Sequence, residues 1–92
     1  MMGRGDKQID VSTLRRLLPI WMRSAGFNVC FEFGKNKSVK DCMMVSAKTG
    51  RVRTYLSDLL SIMTITDGCI AYKENDIKGT VLIRVWEGEE DG

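Results

Sequence analysis

The chain contains no histidine, so it lacks the commonest general acid and base of enzymes. Without histidine, Ser-His and Cys-His nucleophile pairs cannot form within one chain. The three cysteines, Cys30, Cys42 and Cys69, cannot complete a four-ligand zinc site from Cys and His side chains. We therefore expect a protein that is not an enzyme, with no cofactor, no metal site and reduced thiols.

Long apolar runs are also missing. No stretch approaches the roughly 20 apolar residues that a membrane-spanning helix needs. The first residues lack the apolar segment of a secretory signal peptide. We therefore expect a cytoplasmic protein with no membrane partner.

The composition is that of an ordinary small globular domain. The chain has 92 residues, of which 43% are hydrophobic and 28% charged, and both fractions are typical of soluble domains. We expect a flexible N-terminus over residues 1–9, a single α+β domain over residues 10–87, and an acidic C-terminal tail over residues 88–92.

Hydrophobic periodicity predicts the elements of that domain. An apolar stripe at helical spacing indicates a first helix that Asp10 or Ser12 caps and Gly26 ends, with either a kink or a division into two short helices at Pro19. Alternating patterns predict strands over residues 29–33, 39–46, 51–55, 69–72 and 80–86. A second helix begins near Ser57, and residues 62–66 fit either helix or strand. The predicted order α-β-β-β-α-β-β indicates an antiparallel sheet with helices on one face.

Charge is unevenly divided along the chain. Residues 11–57 carry nine basic and two acidic side chains, whereas residues 58–92 carry three basic and eight acidic ones. The net charge of +2 therefore conceals a dipolar protein. A localised positive field attracts polyanions even when the net charge is modest.

The basic residues fall into three groups. If residues 51–55 form a strand, then Arg51, Arg53 and Tyr55 share one solvent face, with Lys48 at the preceding turn. Arginine binds phosphate in a bidentate manner, and an exposed aromatic ring stacks on a base. The same pattern is also typical of an ordinary solvated sheet face. The second group, which flanks one turn, is Lys35, Lys37 and Lys40; the third, on the first helix, is Arg15, Arg16 and Arg23.

Two functions are compatible with these groups. The first is a small non-enzymatic binding module that engages nucleic-acid phosphates, DNA or RNA, through its basic face. The alternative is a protein-binding adaptor or inhibitor that docks on a larger protein complex through its charged poles or a strand edge. In size and layout the chain is similar to small proteins of phages and mobile elements. Charge segregation of this kind also suits a homo-oligomer.

Overall fold

The protein forms two helices and two sheets in a computed structural model that describes residues 7–35 and 39–88. The predicted α+β class is confirmed, with an antiparallel sheet and two helices. In chain order the elements are β1 Lys7–Asp10, α1 Val11–Ser24, β2 Asn28–Phe31, β3 Cys42–Ser46, α2 Thr49–Leu60, β4 Met63–Thr66, β5 Gly68–Glu74 and β6 Thr80–Glu87.

The main sheet has four strands in the order β2-β3-β6-β5, and every neighbouring pair is antiparallel. β1 and β4 form a separate parallel pair in which Lys7 lies opposite Met63 and Asp10 opposite Thr66. Residues 63–66 are therefore a strand, which decides between the two structures that the sequence left open. Residues 7–9, expected within a flexible N-terminus, belong to β1.

Local side-chain chemistry fixes both ends of α1. The Asp10 carboxylate accepts the backbone N–H of Thr13, as an N-cap does. At the other end Gly26 has a φ of +93°, and the N–H of Phe27 reaches the carbonyl of Met22. Such a left-handed residue satisfies carbonyls at the helix end. Pro19 lies within α1 without ending it.

Both helices cover the same face of the main sheet. The core residues on that face of the sheet include Met43, Val45, Val81, Ile83 and Val85, and those of the helices include Leu14, Leu18, Met22, Val52 and Leu56. Neither helix, within the part of the chain described, is long and apolar enough to cross a membrane.

The predicted strand over residues 51–55 is wrong, because these residues lie in α2. Val52, Leu56 and Leu59 are its buried residues, and their spacing of four and three residues is that of a helix face. Val52 and Leu56 suggested a strand because a spacing of four residues fits one face of a strand as well as one face of a helix. Ala47 and Lys48 consequently connect β3 to α2 and do not form a hairpin turn.

Candidate nucleic-acid interface

The predicted basic residues lie at two opposite ends of β3. The connection that carries Lys35 and Lys40 precedes this strand, whereas Lys48 follows it at the start of α2. The strand runs from Cys42 to Ser46, a span of about 13 Å at roughly 3.3 Å per residue. The single basic face expected from the sequence is therefore divided into two groups.

At the first end, two separate elements form a basic cleft of about 470 Å³. Its cationic residues are Arg15 and Arg16 of α1 and Lys40 of the β2–β3 connection, and we call this site the basic cleft. The Gly34 N–H donates to the Lys40 carbonyl at 2.8 Å, which holds the backbone of Lys40 beside that of Gly34, the residue before Lys35. The cleft thus joins part of the predicted lysine group to the predicted arginine group of the first helix.

The positive charge of the cleft is only partly compensated. Glu32 also lines it, but this carboxylate pairs with Arg23 outside the cleft. Arg15 is held in place because its Nε donates to the Val85 carbonyl at 2.8 Å, whereas Arg16 is exposed. An anion entering the cleft would therefore meet an arginine that is already oriented. Because this hydrogen bond has already restricted the Arg15 side chain, anion binding costs less side-chain conformational entropy.

At the other end of β3, Arg51 has a structural role. Its guanidinium donates to the Ala25 carbonyl at 3.3 Å and lies 4.0 Å from the centre of the Phe27 ring. These contacts tie α2 to the end of α1. Lys48, Arg51 and Arg53 are all exposed, but the Arg51 guanidinium is already engaged by these two contacts.

Tyr55 is not an open stacking surface. Its ring packs edge-on against Phe27, with the two centroids 5.3 Å apart, and burial raises the pKa of its phenol. The aromatic residue at the basic cleft is instead Phe33, which the sequence suggested only as a strand residue. Lys37, the remaining predicted site residue, lies outside the described residues.

A second surface, missed in the sequence, lies on the face of the main sheet opposite α1 and α2. Arg84 pairs with Asp41 through Nε and Oδ2 at 2.8 Å, and its guanidinium lies 4.4 Å from the centre of the Trp86 ring. Beside it a groove of about 490 Å³ is lined by residues that include Cys42 and Leu82. The alternation of residues 80–86 places Leu82, Arg84 and Trp86 on this face, which was the available signal.

Comparisons with known proteins give no relative to guide the choice between these surfaces. No family model matches the chain, no curated protein matches its sequence, and no solved structure matches its fold.

The Asp41–Arg84 pair predicts a small acid-dependent loss of stability. Burial raises the pKa of Asp41, but the hydrogen bond and charge of Arg84 outweigh it, and the pKa lies below its ordinary value of 3.8. A carboxylate whose pKa is lower in the folded than in the unfolded protein stabilises the fold at pH values above its unfolded-state pKa. This stabilisation is lost as the pH falls through its folded-state pKa. Asp41→Asn should thus cost up to about 1 kcal/mol at neutral pH.

Urea unfolding from neutral pH to about pH 2 measures this effect. The difference in unfolding free energy between the wild type and Asp41→Asn should vanish at the acid end. Asp76→Asn, in the exposed loop between β5 and β6, serves as the control and should leave the pH dependence of the unfolding free energy unchanged. An equal difference at every pH would contradict the assignment to the Asp41 charge.

Proposed function

We propose that this protein is a small non-enzymatic binding module that engages nucleic-acid phosphates through the basic cleft. One observation carries the proposal: Arg15, Arg16 and Lys40 line a single cleft, and Glu32, which also lines it, pairs with Arg23. Arginine offers a planar fork to phosphate oxygens and lysine a compact point charge. Such a set is suited to a phosphate backbone.

The chemistry of the cleft favours binding that is independent of base sequence. Contacts from arginine and lysine to phosphates position a nucleic acid without reading its bases. Phe33 adds a half-buried ring at the same cleft, and base stacking on an aromatic ring is available to single strands. We therefore expect a preference for single strands over duplexes and little preference among sequences.

Fluorescence anisotropy with labelled single- and double-stranded DNA and RNA tests the proposal. At low salt we expect micromolar or tighter dissociation constants, because several phosphates meet cationic side chains at once. Single strands of unrelated sequence should bind with similar affinity. The absence of binding to all four nucleic acids at low salt would contradict the proposal.

A protein-binding adaptor is the second candidate function. The specific observation in its favour is β5, which lies at the edge of the main sheet beside an apolar groove, because a strand edge can accept an extended segment of a partner. The two candidates differ in a simple experiment. A protein partner should co-purify after nuclease treatment, whereas a nucleic-acid complex should be lost.

A further inference from the structure

The free edge of β5 is long and regular. β5 is the terminal strand in the order β2-β3-β6-β5, and its seven residues pair with β6 in an unbroken register. It contains neither a proline nor a bulge, two devices that protect an edge from pairing, and its charged residues, Lys73 and Glu74, lie together at one end. Within residues 7–35 and 39–88, no strand pairs with its outer side.

The ladder with β6 determines which residues offer their backbone groups outward. Asn75 donates to the Thr80 carbonyl at 3.0 Å, and Gly88 donates to the Asp67 carbonyl at 2.9 Å. In an antiparallel ladder, residues bonded to the partner alternate with residues whose N–H and C=O point away from it. The backbone N–H and C=O groups of residues 69, 71 and 73 therefore point toward β6, whereas those of Ile70 and Tyr72 point toward solvent.

An apolar groove of about 550 Å³ lies along this edge. α2 forms its floor with residues that include Leu56 and Leu60, and β5 contributes Ile70 and Tyr72. Leu60 is 38% exposed, so part of this floor is open to solvent. A strand placed beside β5 would thus gain backbone hydrogen bonds and cover this apolar floor.

We propose that the occupant of this edge is β5 of a second copy of the chain, in an antiparallel pair whose two-fold axis passes through Ala71. In this register Ile70 lies opposite Tyr72 of the second copy, and each pair exchanges two backbone hydrogen bonds. The two main sheets then form one continuous sheet of eight strands. A two-fold contact of this kind uses the same surface on both copies and closes on itself.

The sequence of β5 is self-complementary in this register. An aromatic residue opposite a β-branched one is a favourable cross-strand pair, and the axis generates the Ile70–Tyr72 pair twice. Lys73 lies opposite Cys69, so like charges do not meet. An axis through Tyr72 would set Glu74 against Ile70, and an axis through Ile70 would leave Glu74 unpaired. The axis through Ala71 instead sets two apolar residues opposite each other twice and opposes no like charges along the strand pair, and we favour a second copy over an unrelated partner for this reason.

Sedimentation velocity and light scattering from micromolar to millimolar concentration test the proposal. The wild type should pass from monomer to dimer over this range. Ala71 is exposed on the uncovered sheet face, so Ala71→Glu should leave the monomer folded. Because residue 71 faces itself across the axis at about 5 Å, two glutamates there should raise the dissociation constant at least about 10-fold by repulsion.

Two further variants make the result specific to this register. Ser46→Glu places the same charge on the same sheet face but on β3, where it is exposed, and it should dimerise as the wild type does. Mixing Ala71→Glu with Ala71→Lys should restore a dimer that contains one of each. A wild type that stays monomeric at millimolar concentration would overturn the proposal. So would an Ala71→Glu protein that dimerises as well as the wild type, or a mixture that does not associate.

Discussion

Replacing both Arg16 and Lys40 by glutamate should weaken nucleic-acid binding on the order of 1,000-fold at low salt. The two substitutions change the charge of the basic cleft by four units, and each unit near a phosphate is worth about 1 kcal/mol at a hydrated surface. Both side chains are exposed, so the fold should be preserved. Anisotropy with a labelled single strand measures the loss, and circular dichroism checks the fold.

The matched control is Lys48→Glu with Arg53→Glu. This pair makes the same change in net charge at the opposite end of β3. Both residues are exposed, Lys48 immediately before α2 and Arg53 within it. If the basic cleft binds the phosphates, the control should retain most of the affinity. A larger loss in the control would move the interface to α2. Arg51 is avoided because its contacts with Ala25 and Phe27 hold the two helices together.

Gly68→Ala should destabilise the fold by roughly 3 kcal/mol, near the upper end of typical overpacking effects. A Cβ at this position would lie 2.1 Å from Cγ2 of Val11 and 3.0 Å from the Trp86 carbonyl oxygen. Val11 is only 1% exposed at the start of α1, so its methyl group has little room to move. The glycine thus permits α1 to approach the backbone of β5 closely.

Thermal unfolding measures this effect, and Gly50→Ala is the matched control. A loss of about 3 kcal/mol lowers the midpoint by roughly 12–24 °C in a domain of this size. Gly50 lies in the first turn of α2, where an added Cβ would meet only the far end of Arg53, at 3.8 Å. Alanine there should stabilise the fold by about 0.5–1 kcal/mol. A neutral Gly68→Ala would show that α1 and β5 are not packed as described.

Hydrophobic periodicity correctly predicted those elements whose apolar residues fit either the helical or the strand period but not both. The first helix followed from Leu14 and Leu18, its cap from Asp10, and its end from Gly26, because these signals act within one turn. Residues 51–55 were ambiguous, since Val52 and Leu56 are four residues apart and fit both a strand and a helix. Leu59 resolves the ambiguity, but only when it is considered together with the earlier pair.

The candidate site could not be assembled from the sequence, because it depends on tertiary placement. Arg16 and Lys40 are far apart in the chain and meet only because the β2–β3 connection folds beside the first turns of α1. Lys40 and Lys48 are close in the chain and are separated only because β3 is extended between them. The uneven distribution of charge along the sequence identified the basic half of the chain, and the tertiary structure determines which of its residues line the same cleft.

The salt dependence of binding to single-stranded DNA tests the central claim most directly. Arg15, Arg16 and Lys40 line the basic cleft and Lys35 neighbours it, which allows three or four phosphate contacts. The logarithm of the association constant should then fall with the logarithm of salt concentration at a slope of roughly −2.1 to −2.8 for a single strand. A slope near zero would contradict the account, because binding would then not rest on phosphates.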